Sequence, residues 1–185
     1  MPEYKFDRKE PTDEAEMRQT LAAMNKPWLK SLVVFLYLIG PRISEALMMK
    51  RKDFWIEGDQ LVTRIYVLKK RSKAKTAYED NAHVLHLSLN SPFLKEVLLP
   101  YIEAIAEPEA RVWRHSRQWS WACLKKANPK ISPHIFRHDR LTKLALAGAD
   151  AFTIQDWAGW ADVRPASSYV HASGQLAAKF ADKLT

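Results

Sequence analysis

ISPHIFRHDRLTKLALAGAD, residues 131–150, is the stretch whose reading decides the fold. Ser132 can cap a helix and Pro133 suits a first helical turn, so a helix is expected over 133–147, ending at Gly148. His134 and Arg137, three residues apart, then share one face near the helix N-terminus, where free N–H groups and the helix dipole favour an anion. The chain continues into DAFTIQDWAGW (150–160), which reads as a helix over 151–158 closed by Gly159. VRPASSYVH (163–171) reads as another, over about 165–172, carrying Tyr169. Singly, Trp160 and Tyr169 suit core packing, and an HxxR pair is a short motif.

Working outward, Asp13 and Glu16 have capping-box spacing for a helix to about Met24. Pro27 can open the next helix, whose run LVVFLYLI (32–39) is apolar on all sides and stops at Gly40-Pro41. RISEALMMK (42–50) fits a short helix, and Glu45 lies three residues after Arg42, where it can orient or ion-pair that arginine. The character then changes: residues 53–89 are rich in β-branched and aromatic side chains, with a turn at EGD (57–59). Antiparallel strands are expected at 53–56, 61–69 and 83–88. Helical patterns return at 91–106 and 115–127. The fold class is α+β, mostly helical, with one small three-stranded antiparallel sheet.

A chain of 185 residues reads as a single domain able to bury a core. Its one cysteine, Cys123, excludes an internal disulfide framework and a four-cysteine zinc site. No apolar signal core opens the sequence, and 32–39 is too short to span a bilayer, so a soluble, cytoplasmic protein is expected. The net charge of +8 points to a polyanion partner. The charge is clustered: KKRSKAK (69–75) holds five cations in seven positions, and a second basic stretch runs from Arg111 to Arg140. Such clusters suit a phosphate backbone, because each neutralised phosphate releases counterions.

In combination, GPRISEALMMKRKDF (40–54) resembles the first arginine box of the tyrosine recombinase (phage integrase) family. HIFRHDRLTKLALAGADAFTIQDWAGWADVRPASSYVHA (134–172) resembles its second box. It has the His-x-x-Arg-His start, Gly-x-Asp, an Ile before a Gly-Trp pair, and a tyrosine nine residues after that tryptophan. The resemblance spans nearly the whole chain. It implies the recombinase catalytic-domain fold and DNA strand transfer through a covalent 3′-phosphotyrosyl intermediate, with no metal, ATP or other cofactor.

The resemblance implies Tyr169 as nucleophile and Arg42 and Arg137 as a grip on the nonbridging phosphate oxygens. Their bidentate forks match an anion whose charge grows during attack. His134 and Trp160 would add donors, with His134 also a plausible base; the indole stands where many relatives have histidine. The family's lysine general acid lies in a turn between two strands; Lys69, Lys70, Lys73 and Lys75 all qualify here, and spacing favours Lys70. Glu45 and His138 read as supports behind these groups. Lys69, Arg71, Lys73, Lys75 and Arg140 read as DNA-binding cations. His134 and His138 also have metal-pair spacing, but only Asp139 or His171 offers a third ligand, so no metal is expected.

The resemblance further implies double-stranded DNA as partner, an association with the nucleoid, and self-association as a tetramer on DNA. The tail GQLAAKFADKLT (174–185) would dock on a neighbouring subunit or on its own domain. Residues 1–185 are expected to form one catalytic domain, with the family's N-terminal DNA-clamping domain outside this chain; binding without that clamp would be weak and salt-sensitive. Pro41 departs from the pattern, since relatives usually have an amide hydrogen there. Rival readings are a type IB topoisomerase, a catalytically silent DNA-binding module and a helical protein-interaction domain.

Overall fold

Local signals start most of the helices in the computed structural model, which describes residues 11–67 and 82–173. The Asp13 side chain accepts from Glu16 N–H and opens α1 (Glu14–Ala22). Pro27 opens α2 (Pro27–Ile39), and Gly40 closes it in the left-handed conformation (φ 73°), donating its N–H to the Leu36 carbonyl. A Cβ at Gly40 would stand 3.0 Å from Arg140 Cβ and 3.1 Å from Arg137 Cα, so this glycine also lets α2 meet the later helix that carries both arginines. α3 (Ile43–Ala46) follows directly.

The sheet is an antiparallel meander, β1 (Phe54–Glu57), β2 (Gln60–Tyr66) and β3 (Ala82–Ser88), with β2 central. Phe54 pairs with Thr63, and Ile65 pairs with His83. β2 ends at Tyr66, short of the expected run to 69, since Val67 is already outside the strand. Residues 68–69, the whole of KKRSKAK, with Lys69, Lys70, Arg71, Lys73 and Lys75, and the tail 174–185 lie outside the described residues.

The helix expected over 91–106 is shorter. A π-helical turn, Leu94–Leu98, runs into α4 (Leu99–Glu103), next to Pro100, which has no N–H for a helical bond. α5 (Arg117–Ala127) is capped by Ser116, α6 (Pro133–Leu146) by Ser132, and α7 (Ala151–Ala158) by Asp150; α8 (Arg164–Ser173) closes the described chain.

Two apolar clusters result. The larger surrounds α2, where Phe35 lies 5.0 Å from the Trp113 ring, whose indole N–H donates to Ser31 Oγ at 3.0 Å. The smaller joins α6, α7 and α8 through Leu141, Ala145, Ile154, Ala158 and Ala166. Between the clusters lies the junction of Gly40, Arg137 and Ala158. No helix among the described residues is long and apolar enough to cross a membrane.

Candidate active site

The two arginines are held in different ways. Arg42 is the N-cap of α3, and the buried Glu45 carboxylate takes both its backbone N–H (2.8 Å) and its guanidinium Nη1 (2.6 Å). Its side chain remains 26% exposed. Arg137, on the first turns of α6, is buried. Nη1 donates to the Gly40 carbonyl (2.9 Å) and Nη2 to the Ala158 carbonyl (2.8 Å). These carbonyls lie at the C-terminal ends of α2 and α7, where the helix dipoles favour a cation.

Those two bonds use two of the five N–H donors of a guanidinium; the other three have no protein acceptor among the described residues. Burial, and then the charge of Arg42, push the Arg137 pKa down to about 10, while Glu45 and Tyr169 oppose the fall. It remains a cation at neutral pH. A buried cation with spare donors beside a second arginine suits an oxyanion.

Gly159 closes α7 with φ 62°, and Trp160 follows it. The Arg137 guanidinium lies 5.4 Å from the Trp160 ring, a cation–π contact. The Tyr169 ring stacks with Trp160 (6.1 Å, 30°) and with His138 (5.7 Å, 28°), and its hydroxyl is hydrogen-bonded to His138 Nδ1. Burial pushes the Tyr169 pKa up to about 12, with Arg137 pulling the other way. Burial, then His134 and Arg137, lowers the pKa of His138; the ring is therefore neutral at pH 7 and able to take a proton.

The structure thus brings together Arg42, Glu45, Arg137, His138, Trp160 and Tyr169. His134 stands exposed on α6, its pKa lowered by partial burial and by Arg117, Arg137 and Arg42. It is not the histidine bonded to the phenol; that place belongs to His138, expected from the sequence only as a support behind the site. Arg140, expected as a DNA-binding cation, is largely occupied by packing within the fold. Its guanidinium lies 4.7 Å from the Trp157 ring, and its buried Nε has no hydrogen-bond partner among the described residues. Trp157 in turn donates to the Ile39 carbonyl at 2.8 Å, so Arg140 packs where α2, α6 and α7 meet. Sequence reasoning missed His83 at the start of β3, whose ring lies against Gly159. By strand alternation it shares the inner face of β3 with the buried Leu85 and Leu87, and that parity was the signal that could have found it. No group of three or more His, Cys, Asp or Glu side chains able to hold a metal occurs among the described residues.

A basic, aromatic surface continues from the site along α5. Arg117 and Lys126 are exposed; Lys26 lies over Trp119 (5.0 Å) and Lys125 over Trp121 (5.9 Å), both tryptophans being half exposed.

The sequence profile of the phage integrase family matches residues 10–175. The chain belongs to the phage integrase family. Among its relatives, tyrosine recombinase XerD of Staphylococcus saprophyticus is 25% identical over 91% of this chain and 61% of its own length. XerD of Rickettsia prowazekii is 27% identical over 77% of this chain and 50% of its own. The chain thus spans about half to three fifths of these curated relatives. The fold agrees with solved structures. XerH site-specific recombinase bound to its difH substrate, in a pre-cleavage complex, superposes with a TM-score of 0.66 at 18% identity, over 91% of this chain and 52% of XerH. The catalytic domain of bacteriophage HP1 integrase superposes with a TM-score of 0.61 at 13% identity, over 89% of this chain and 88% of that domain. The fold is that of a tyrosine recombinase catalytic domain.

Proposed function

We propose that this chain is the catalytic domain of a tyrosine-type site-specific DNA recombinase, cutting and rejoining DNA strands through Tyr169. The observation that carries the reading is the buried Arg137, anchored by two carbonyls, keeping three N–H donors for an anion beside Arg42 and within reach of the tyrosine's charge. A phosphodiester seated between the two arginines is neutralised in the ground state and gripped more tightly as attack adds charge to its oxygens.

Tyr169 Oη attacks phosphorus while its proton passes to neutral His138. The bond from phosphorus to the 5′ oxygen breaks as the tyrosyl–phosphorus bond forms. The leaving oxygen takes a proton from a lysine of the segment 69–75, Lys70 by its spacing. The reverse reaction, with the 5′-hydroxyl of another strand as nucleophile, rejoins DNA and regenerates the phenol. The phosphotyrosyl bond conserves the energy of the cut linkage, so the cycle consumes no ATP and uses no metal. Trp160 adds its indole N–H. The α5 face, with its cations and tryptophans, suits a duplex backbone, and self-association on DNA supplies the second strand to be joined. The setting is the nucleoid of the cytoplasm.

The test is capture. A pool of nicked suicide duplexes, randomised around the scissile step, is incubated with the protein in EDTA and run on a denaturing gel. The expected result is a slow-migrating protein–DNA species that Tyr169→Phe lacks. A protein that binds these duplexes yet forms no such species contradicts the reading.

A further inference from the structure

His83 is buried enough that its Nδ1 has almost no exposed surface, and that nitrogen has no hydrogen-bond partner among the described residues. An orphaned polar atom of this kind is costly, and an apolar side chain at that register of β3 would avoid it. The position is informative. A Cβ at Gly159 would fall 2.8 Å from His83 Cε1, 2.9 Å from its Nδ1 and 2.8 Å from Val67 Cγ2. The imidazole edge and Val67 therefore press directly on the Gly159 α-carbon, where only a hydrogen fits.

Gly159 is the link between two working parts of the site. The residue before it, Ala158, offers the carbonyl that anchors Arg137 Nη2, and the residue after it, Trp160, carries the ring beside the same guanidinium. The groups acting on His83 come from each element around it: Glu45 of α3 and Asp156 with the Trp157 backbone of α7 favour its charged form, while burial and Arg137 of α6 disfavour it. The ring thus sits neutral near Arg137, wedged between β3 and the end of α7.

We infer that His83 is a positioning residue for strand transfer, setting the height of the Gly159–Trp160 peptide over the sheet and so aligning Trp160 with Arg137. The inference rests on the strand-transfer reading above. A shift of about 1 Å in such a group can cost about 100-fold in rate. His83→Ala should slow covalent capture of the randomised suicide-duplex pool by about 10- to 100-fold under single-turnover conditions, with unchanged affinity for the same duplexes. His83→Gln, which keeps a planar polar group of similar bulk, should recover most of the rate.

The decisive readout is a double-mutant cycle, since residues acting through one another are not additive. In a Trp160→Phe background, His83→Ala should cost less than about 3-fold. The same loss in both backgrounds, or wild-type capture by His83→Ala, overturns the inference while leaving the reaction in place. If His83→Ala does not fold, His83→Gln and its Trp160→Phe double carry the cycle. A wild-type protein giving no Tyr169-dependent adduct overturns the strand-transfer reading, and this inference with it.

Discussion

The two apolar clusters among the described residues are built from different material. Around α2, large side chains fill the interior: Phe35, Phe54, Trp113, Leu32, Leu36 and Ile39 are almost wholly buried. In the corner formed by α6, α7 and α8, three of the five buried residues are alanines, with only Leu141 and Ile154 of any size. Each buried methylene contributes about 0.8 kcal/mol, so helix α8 is held far less strongly by apolar burial than α2. Tyr169, the proposed nucleophile, rides on the lighter side, steadied by its stacking with Trp160 and His138. Arg137 joins the two, one fork arm on the Gly40 carbonyl and the other on Ala158. The proposed anion grip is thus tied to both clusters, while Tyr169, proposed to approach phosphorus, hangs on the small contacts of the lighter one.

The largest expected effect separates chemistry from stability. Tyr169→Phe should remove the covalent adduct entirely, while costing only the roughly 0.5–1.5 kcal/mol of one hydrogen bond, that to His138. Capture gels and thermal unfolding check the two sides.

Arg137→Ala should damage both regions at once. Capture should fall by about 10²–10³-fold. Stability should fall by about 1–3 kcal/mol as the Gly40 and Ala158 carbonyls lose their donors. Arg137→Lys should recover only part of the rate, since a single ammonium cannot reach two divergent carbonyls and an anion together.

A matched pair sharpens the contrast. Ile39→Val and Ile154→Val remove the same methylene from fully buried positions and should each cost about 0.5–1.5 kcal/mol. Only Ile154→Val should also slow capture, because it loosens the corner that aims Tyr169. Equal capture rates for the two variants would break the comparison.

The smallest effect is on the pH dependence of stability. Burial lowers the pKa of His83, His134 and His138, so the unfolded chain binds more protons below the ordinary histidine range. Stability should therefore drop as pH falls below about 6.5. At the other end, Tyr169 is raised to about 12, so its contribution is present below pH 10 and lost as pH climbs from 10 towards 12. Melting curves across pH should show both flanks, with Tyr169→Phe flattening the alkaline one.

What was legible in the sequence was what is local. Asp13, Pro27, Ser132 and Gly159 act within a few residues of themselves, and each begins or ends a helix as its chemistry suggests. The Arg42–Glu45 bond also lies within one turn. The missed features depend on segments distant in the chain. That His138, and not His134, meets the phenol depends on how α8 lies across α6. Arg140 reads as one more cation in a basic stretch until Trp157 is seen beneath it. The His83 contact needs the sheet edge and the end of α7 to be packed together, and no spacing in the sequence encodes that meeting.

The most direct measurement is the chemical identity of the link itself. Adduct formed on the suicide duplexes would be trimmed with nuclease, digested and sequenced by mass spectrometry. The account predicts a nucleotide joined through its 3′ phosphate to Tyr169. Attachment to the neighbouring Ser167 or Ser168, to another tyrosine, or through a 5′ phosphate would contradict it.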